Sequence, residues 1–307
     1  MRIAVVGAGG VGGAYGAALA KAGADVTFIA RGAHLAAMKS KGLKLESQRG
    51  DIHLVPTQAT DDPKTVGPVD VVLFCVKLWD VESAGEAIKP MVGEDTAVIP
   101  LQNGVDASDR LMPILGRQAM MGGVAVISAT IAEPGVIRQT GAVMRMVFGE
   151  LDGSRSPRGQ AFAALCVKAG IDGVLSASIQ TELWMKFILL ASNASIMALA
   201  RLPVGKLRDD PDIARWFTTA YEEVAAVGRA AGIALPVDAV DKTLNFNRTA
   251  PPHLIPSMAV DLLRGNRIEL PWLSGKVVEL GRKYGVPTPT HAFMYATLKP
   301  YVMGKPA

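Results

Sequence analysis

The chain has 307 residues, which is enough for one or two domains with a large buried core. Half of the residues are hydrophobic, 20% are charged and the net charge is +4, so the profile is that of a soluble globular protein suited to anionic small molecules rather than nucleic acid. No uninterrupted apolar stretch has the length of a membrane span, so no membrane partner is expected.

The first sixteen residues predict a phosphate-binding turn. Arg2 to Val6 is a short apolar run with β-branched residues and indicates a buried strand. A GxGxxG motif follows and opens a helix of small residues: Gly7, Ala8, Gly9, Gly10, Val11 and Gly12. Gly7 allows a tight turn, Gly9 lets the backbone approach a pyrophosphate, and Gly12 lets helix pack on strand. The helix N-terminus offers N–H groups to a phosphate. The alternative is a Gly-rich turn without a ligand.

The second strand indicates which dinucleotide is bound. It runs from Ala24 to Ala30 and ends at Arg31. Enzymes that use NAD usually place an acid here, about 20 residues beyond the glycines, whereas Asp25 stands at the start of this strand. A guanidinium suits a 2′-phosphate, so we predict NADP(H). The alternative is a solvated arginine at a strand end.

Strands and helices alternate through the first half of the chain, as in a doubly wound sheet. The predicted elements after the second strand are a hairpin at 43–45 and 52–56, a strand at 69–76, a helix at 81–88, strands at 96–101, 120–129 and 143–148, and a helix at 159–168. From Gln180 onward helical periodicity dominates and strand signals are almost absent. We therefore predict an α/β Rossmann domain with a mostly parallel sheet at 1–177 and an all-α domain at 178–307.

The cysteines and histidines give little sign of chemistry. Cys75 and Cys166 lie in apolar stretches without metal-ligand spacing, so we expect buried reduced thiols, a reducing cytosol and no metal site. The four histidines form no cluster, and we expect each in a surface or loop position without a catalytic role: His34, His53, His253 and His291.

Two predicted strands of the first half end in polar residues. Lys77 follows one of them and suits the carboxylate of a substrate or a phosphate of the cofactor. Asn103 follows the next and suits the nicotinamide ribose or the substrate, with Gly104 permitting a tight turn. The alternatives are a solvent-facing loop lysine and a simple Asn-Gly turn.

Three further candidates lie in the helical half. Lys186 stands in an apolar setting with Glu182 one turn earlier, which taken alone favours a structural ion pair. Glu269 is expected to begin a helix, where an acid has an ordinary capping explanation. Ser257 has a similar explanation as an N-cap.

Taken together, these segments resemble the ketopantoate reductase (2-dehydropantoate 2-reductase) family over nearly the whole chain. The order and spacing of the motifs carry the resemblance. They are the glycine motif at 7–12, Arg31, Val76-Lys77, Gln102-Asn103-Gly104, Glu182-Leu183-Trp184-Met185-Lys186, Pro203-Val204-Gly205, Ser257-Met258 with Asp261, Glu269, and Gly285-Val286-Pro287-Thr288-Pro289.

The resemblance implies an NADPH-dependent reductase with a helical domain like that of 6-phosphogluconate dehydrogenases. It implies that Lys186 is the catalytic lysine and that Glu269, Ser257 and Asn103 belong to the substrate site. It also implies that Arg31 contacts the 2′-phosphate and that Lys77 is a further active-site lysine. We count Glu269 with Lys186 as catalytic, and Lys77, Asn103 and Glu269 also as cofactor contacts.

The chain departs from the family pattern near the expected substrate. Leu190, Ala194 and Leu254 stand where members commonly carry asparagine, and Asn193 is displaced beside one of these positions. We include Asn193 among the substrate residues. The changes leave reductase chemistry intact and make an altered 2-keto acid substrate an alternative to 2-dehydropantoate.

The sequence thus predicts a cytoplasmic oxidoreductase that reduces 2-dehydropantoate to pantoate in pantothenate biosynthesis, or a paralogue with another 2-keto acid. A homodimer is one option for its assembly. Two other classes stay open: an NAD-dependent 3-hydroxyacid dehydrogenase of the same superfamily, against which Arg31 argues, and a non-catalytic NADP(H)-binding sensor, against which Lys186 and Glu269 argue.

Overall fold

The computed structural model describes residues 1–306 of the protein. The chain divides into two compact units, the first formed by residues 1–102 and 106–179 and the second by residues 103–105 together with the chain from Gln180 onward. The short segment 103–105, which we expected in the first half, thus groups with the second unit. The functional boundary between residues 177 and 178 stays a prediction.

The first unit contains ten strands and five helices among the described residues. In chain order they are β1 (Arg2–Val6), α1 (Gly10–Lys21), β2 (Asp25–Ile29), α2 (Gly32–Lys41), β3 (Leu43–Glu46), β4 (Ile52–Leu54), β5 (Ala59–Thr60), β6 (Val69–Phe74), α3 (Val81–Ala87), β7 (Val92–Pro100), α4 (Ala107–Leu115), β8 (Met121–Glu133), β9 (Val136–Glu150), α5 (Pro157–Lys168) and β10 (Asp172–Leu175).

Five of these strands form the predicted parallel sheet, in the order β5-β2-β1-β6-β7. Val5 of β1 pairs with Phe28 of β2 on one side and with Leu73 of β6 on the other. The central strands are almost entirely buried, as expected for a parallel sheet covered on both faces. The Rossmann architecture predicted from the sequence is therefore confirmed.

The remaining strands build a second, mixed sheet rather than extending the first. Its order is β10-β9-β3-β4, with β8 paired to β9 in a long antiparallel hairpin. The predicted hairpin of β3 and β4 is confirmed as an antiparallel pair. The strand predicted at 143–148 covers only part of β9, which starts at Val136. The turn at Pro134-Gly135 joins β8 directly to β9, so the two strands pair along nearly their whole length.

Helix α1 lies between the two sheets. A Cβ on Gly16 would collide with Phe28 of the parallel sheet, and one on Gly13 would collide with Ile137 of the mixed sheet. All residues from Gly12 to Leu19 are buried. The small residues of α1 are therefore required by packing on two sides, in addition to the glycine turn at its start.

The second unit is helical, as predicted, and has its own apolar core. Its helices are α6 (Ile179–Ala200), α7 (Pro211–Ala230), α8 (Ala239–Thr249), α9 (Ser257–Leu263), α10 (Ser274–Tyr284) and α11 (Pro289–Leu298). Helix α6 is long and apolar enough to cross a membrane by length and composition, but 67% of its most apolar window is buried inside the protein. This burial accounts for its apolar sequence as that of a core helix.

One buried histidine is hydrogen-bonded between these helices. His291 of α11 is fully buried, so the prediction of a surface or loop position is wrong for this residue. Its Nδ1 lies 3.0 Å from the hydroxyl of Ser274, and its Nε2 lies 3.1 Å from the carbonyl oxygen of Ala220. Burial lowers the pKa of His291 to about 4. The ring is thus a neutral structural group, because its hydrogen bonds compensate its removal from water.

Candidate active site

The glycine motif forms the turn from β1 into α1, and one of its glycines has no structural reason to be glycine. Gly7 has a φ of +93° and its Cβ would lie 2.9 Å from the backbone of Cys75, while Gly10 and Gly12 would collide with Ala129 and Val5. Gly9 has a φ of −71°, and a Cβ built there would meet no atom of the described residues within 4 Å. The open space over Gly9 is what a phosphate group needs, so this turn fits a dinucleotide.

Hydrogen bonds from two other elements fix this turn. The N–H groups of Gly7 and Ala8 donate to the carbonyl oxygen of Ile29 at 3.1 and 3.3 Å. His34 of α2 lies 2.9 Å from the carbonyl oxygen of Ala8 through its Nε2, and its Nδ1 accepts from the N–H of Gly135 at 3.0 Å. Because Nδ1 accepts, Nε2 must carry the proton, and His34 is a neutral connector between the turn and the β8–β9 hairpin. Burial lowers its pKa, which keeps it neutral.

Arg31 occupies the predicted position beyond the second strand. It is exposed and is the N-cap residue of α2, with extended backbone angles of φ −137° and ψ 160°. Within the described residues 1–306 its guanidinium forms no ion pair. Neither α1 nor α2 has an acidic residue in its first turn, so this end of the parallel sheet favours an anionic ligand.

The side chain of Gln102 connects the ends of β6 and β7. Gln102 is 8% exposed and donates from Nε2 to the carbonyl oxygens of Phe74 and Val76 at 2.9 and 3.1 Å. Lys77 directly follows Val76 in this loop and is exposed. Its Nζ lies 5.5 Å from the ring centre of Trp79. Gln102 thereby fixes the loop that carries Lys77. A glutamine directly after a buried strand was the available signal.

Asn103 is half-buried and belongs to the short segment that groups with the second unit. Gly104 after it has a φ of +103°, a conformation that glycine adopts readily and other residues rarely do. The Asn-Gly turn expected from the sequence is therefore present, and it sets the position of the Asn103 amide.

Lys186 and Glu269 interact in the second unit. Lys186 lies half-buried on α6, and Glu269 is 5% exposed directly before a 3-10 turn at Leu270–Trp272. Burial lowers the pKa of Lys186 and the carboxylate of Glu269 raises it, with a net value of about 8. The charge that raises this pKa is that of Glu269, not that of the sequence neighbour Glu182. An ammonium with this pKa is charged at neutral pH and gives up a proton readily.

Two sequence-based explanations for these residues need correction. Glu269 does not begin α10, because Leu273 has the non-helical angles φ −106° and ψ −103° and α10 starts only at Ser274. It holds the N-cap position of the 3-10 turn, without a side-chain capping hydrogen bond. Ser257 is not an N-cap: it is the exposed first residue of α9, and Pro256 holds the cap position. The ordinary capping roles considered for both residues are thus absent.

Asn193 is buried inside the helical unit. It is 3% exposed, its Oδ1 accepts from the hydroxyl of Tyr221, and its Nδ2 donates to Asn247 at 3.4 Å. Both ends of its amide are therefore already bonded inside the helical unit.

The three departures from the family pattern lie around the core of the same unit. Leu190 and Leu254 are half-buried and pack against this core, and Ala194 is fully buried within it. Leu190 and Ala194 follow Lys186 by one and two helical turns, so the three share one face of α6. Leu190 and Ala194 add no hydrogen-bonding group to that face, and the amide of Asn193, seven residues after Lys186, is already bonded to Tyr221 and Asn247.

Family models match both parts of the chain. The family model "Ketopantoate reductase PanE/ApbA" matches residues 3–153, and "Ketopantoate reductase PanE/ApbA C terminal" matches residues 178–302. This chain belongs to the ketopantoate reductase family. As a member of that family, it is an oxidoreductase that reduces a 2-keto acid and takes NADP(H) as its cofactor.

Relatives cover the chain almost end to end. A 2-dehydropantoate 2-reductase of Mesorhizobium japonicum is 31% identical, over 94% of this chain and 94% of its own length. An uncharacterized oxidoreductase of Bacillus subtilis, YkpB, is 27% identical over 98% of this chain and 99% of its own. The crystal structure of a PanE/ApbA family ketopantoate reductase from Ralstonia eutropha is 34% identical with a TM-score of 0.90, covering 98% of both chains.

Proposed function

We propose that this protein uses NADPH in preference to NADH to reduce a 2-keto acid to a 2-hydroxy acid, with 2-dehydropantoate, which gives pantoate, as the first candidate substrate. The observation that carries the proposal is the half-buried Lys186, whose pKa of about 8 results from desolvation and from the charge of the Glu269 carboxylate. A carbonyl reductase needs a proton donor of this kind, whereas a non-catalytic NADP(H)-binding sensor does not.

The chemistry follows from the ammonium. Bound NADPH supplies the hydride that reduces the carbonyl carbon. Lys186 stabilises the negative charge that develops on the carbonyl oxygen and transfers a proton from Nζ to that oxygen, which leaves a neutral amine and a 2-hydroxy acid. Water then reprotonates the amine. Glu269 keeps the ammonium protonated at neutral pH by raising its pKa.

Three sets of residues are assigned to the cofactor. We assign the pyrophosphate to the turn from Gly7 to Gly12, including Ala8 and Val11, because of the open space over Gly9 and because no acidic residue lies in the first turn of α1. Arg31 is assigned to the 2′-phosphate, since its guanidinium is exposed beyond β2. Lys77, Asn103 and Glu269 are assigned as further cofactor contacts.

Four polar residues are assigned to the substrate. Lys77 suits its carboxylate, and Asn103 and Ser257 offer an amide and an exposed hydroxyl. Asn193 belongs to the same group, but both ends of its amide are bonded to Tyr221 and Asn247. We therefore expect Asn193 to position its neighbours rather than to touch the substrate.

The apolar face of α6 favours a second candidate substrate. Leu190 and Ala194 offer no hydrogen bond to the hydroxyl of 2-dehydropantoate, and Leu254 is equally apolar. A pocket that lacks such partners discriminates weakly in favour of a hydroxylated substrate. A 2-keto acid with fewer hydroxyl groups is therefore the alternative.

The cellular setting completes the proposal. Cys75 and Cys166 are free thiols, and burial raises the pKa of both to about 12, as suits unreactive cysteines of a reducing cytoplasm. A cytoplasmic enzyme, with a homodimer as one option and without nucleic-acid or membrane partners, is the expected form.

The test is the oxidation of NADPH by the purified protein across a panel of 2-keto acids, repeated with NADH. We expect turnover with at least one 2-keto acid and a higher kcat/KM with NADPH. Turnover of 3-hydroxyacids with NAD, and none of 2-keto acids, would support the dehydrogenase alternative. Tight NADPH binding without turnover of any panel member would support the sensor.

A further inference from the structure

A cleft of about 370 Å³ lies in the first unit, away from the proposed cofactor site. It is lined by Ala18, Lys21 and Ala22 at the C-terminal end of α1, whereas the glycine motif lies at the N-terminal end. Nine residues separate Gly12 from Lys21, which corresponds to about 14 Å along the helix axis. The volume is within the range of roughly 300–1,000 Å³ that small-molecule sites occupy.

Three cations surround this cleft and no acidic side chain lines it. They are Lys21, Arg49 and Lys168. None of them forms an ion pair with any residue between positions 1 and 306. Arg49 donates from its guanidinium to the carbonyl oxygen of Gly170, which fixes it at the edge of the cleft. The three charges therefore act on the same volume without a protein counter-ion.

Helix dipoles account for only part of this charge. Lys21 and Lys168 stand in the last turns of α1 and α5, where a cation is favoured. Each helix end carries about half a negative charge, so the two ends together offset about one of the three cations. Arg49 lies in the turn between β3 and β4 and donates to the carbonyl oxygen of Gly170, two residues past the end of α5, so it shares that helix end with Lys168. A net positive potential is left for a ligand.

The floor of the cleft is apolar. Leu45 and Met144 are 1% and 6% exposed, and Ala18 and Ile52 complete the surface. A ligand that contacts both the three cations and the apolar floor needs an anionic end and a short apolar body.

We propose that this cleft binds a small amphiphilic anion, a phosphate monoester or carboxylate attached to a short apolar chain. The site is separate from the one assigned to NADPH and the 2-keto acid, and the inference does not depend on the proposed function. The floor excludes a ligand that is polar throughout, and the cations exclude a neutral one.

Calorimetric titration of the full chain with hexyl phosphate tests the proposal. The protein is first saturated with NADP⁺, so that the phosphate sites of the cofactor are filled. The site variant is Lys21→Gln with Lys168→Gln, which removes two charges and no hydrogen bond seen in the structure. The matched control is Lys64→Gln with Lys89→Gln, two exposed lysines of the same unit outside the cleft. Thermal unfolding of both variants confirms that they fold.

We expect saturable binding at one site, weakened about tenfold or more in the site variant and unchanged in the control. Inorganic phosphate and hexanol are each expected to bind more weakly than hexyl phosphate. Equal affinity in the two variants, or no saturation at about 10 mM ligand, would overturn the site. If inorganic phosphate bound as tightly as hexyl phosphate, the apolar floor would contribute nothing to binding. If hexanol bound as tightly as hexyl phosphate, the three cations would contribute nothing.

Discussion

The carboxylate of Glu269 raises the pKa of Lys186, which burial lowers, and the balance leaves it at about 8. Glu269 is itself 5% exposed, so water screens the interaction little. This balance sets the pH range in which Lys186 can act as a proton donor.

The first prediction concerns pH. The donor form of Lys186 is the ammonium, so keto acid reduction is expected to fall as pH rises through about 8. In Glu269→Gln the effect of burial remains and the charge that raises the pKa is gone, so the fall should occur at lower pH. Profiles of kcat against pH for both proteins measure this. If the two profiles coincide, Glu269 does not act on Lys186.

Removal of the proton donor should affect the chemical step more than binding. Lys186→Ala is expected to lower kcat by about 10²–10⁴-fold while the Kd for NADPH changes little. Lys242→Ala, an exposed lysine paired with Asp238 in the same unit, is the control. Retention of most of kcat in the Lys186 variant would make this lysine structural.

Arg31 should decide between the two nicotinamide cofactors. Arg31→Ala removes a charge-assisted contact worth about 1.5–3 kcal/mol, so NADPH affinity should fall roughly tenfold to a hundredfold. NADH lacks the 2′-phosphate and should bind as before. Lys39→Ala, on the exposed side of the same helix, controls for charge. Equal preference of the unmodified protein for NADH and NADPH would contradict the assignment.

His34 should act on the cofactor through the turn that it holds. His34→Leu removes the hydrogen bonds to the carbonyl of Ala8 and the N–H of Gly135. We expect weaker NADPH binding, by about fivefold if one of the two bonds contributes to about thirtyfold if both do, because each is worth about 1 kcal/mol. The loss should be equal for NADH, in contrast to Arg31→Ala. An unchanged Kd with a lower Tm would show that His34 serves stability alone.

The substrate prediction rests on the apolar face of α6. Leu190→Asn with Ala194→Asn should raise kcat/KM for 2-dehydropantoate relative to less hydroxylated 2-keto acids. Ala194 is fully buried, and a larger side chain there costs about 1–3 kcal/mol, so Leu190→Asn alone is the second variant. A series of kcat/KM values across 2-keto acids measures the change. Unmodified protein with about 10⁴ M⁻¹s⁻¹ or more on 2-dehydropantoate would contradict an altered substrate.

The sequence predicts the local elements of the first unit better than their assembly. The strand, turn and helix from Arg2 onward follow from β-branched residues, glycines and small residues, and the structure contains them. The separation into two sheets was not predictable, because it depends on β9 pairing with β3 and β10 far along the chain. Helix α4 was missed because Pro113 lies inside it.

The candidate site shows the same limit. Lys186 and Glu269 follow from the family motif, but their electrostatic coupling depends on how the helices pack. His34 carries no local signal of its role, since its two partners, Ala8 and Gly135, come from distant segments. His291 is buried because Ser274 and a backbone carbonyl satisfy its ring, and periodicity does not reveal such partners.

The position of α1 between two sheets limits where cofactor preference can be engineered. Gly10, Gly13 and Gly16 have no room for a larger side chain, so changes along this helix would disrupt packing before they altered selectivity. The start of α2 is different: Arg31 and Ala33 are exposed, whereas the φ of +57° at Gly32 disfavours any other residue at that position. Substitutions that shift the preference from NADPH toward NADH are therefore better tolerated at Arg31 and Ala33 than along α1.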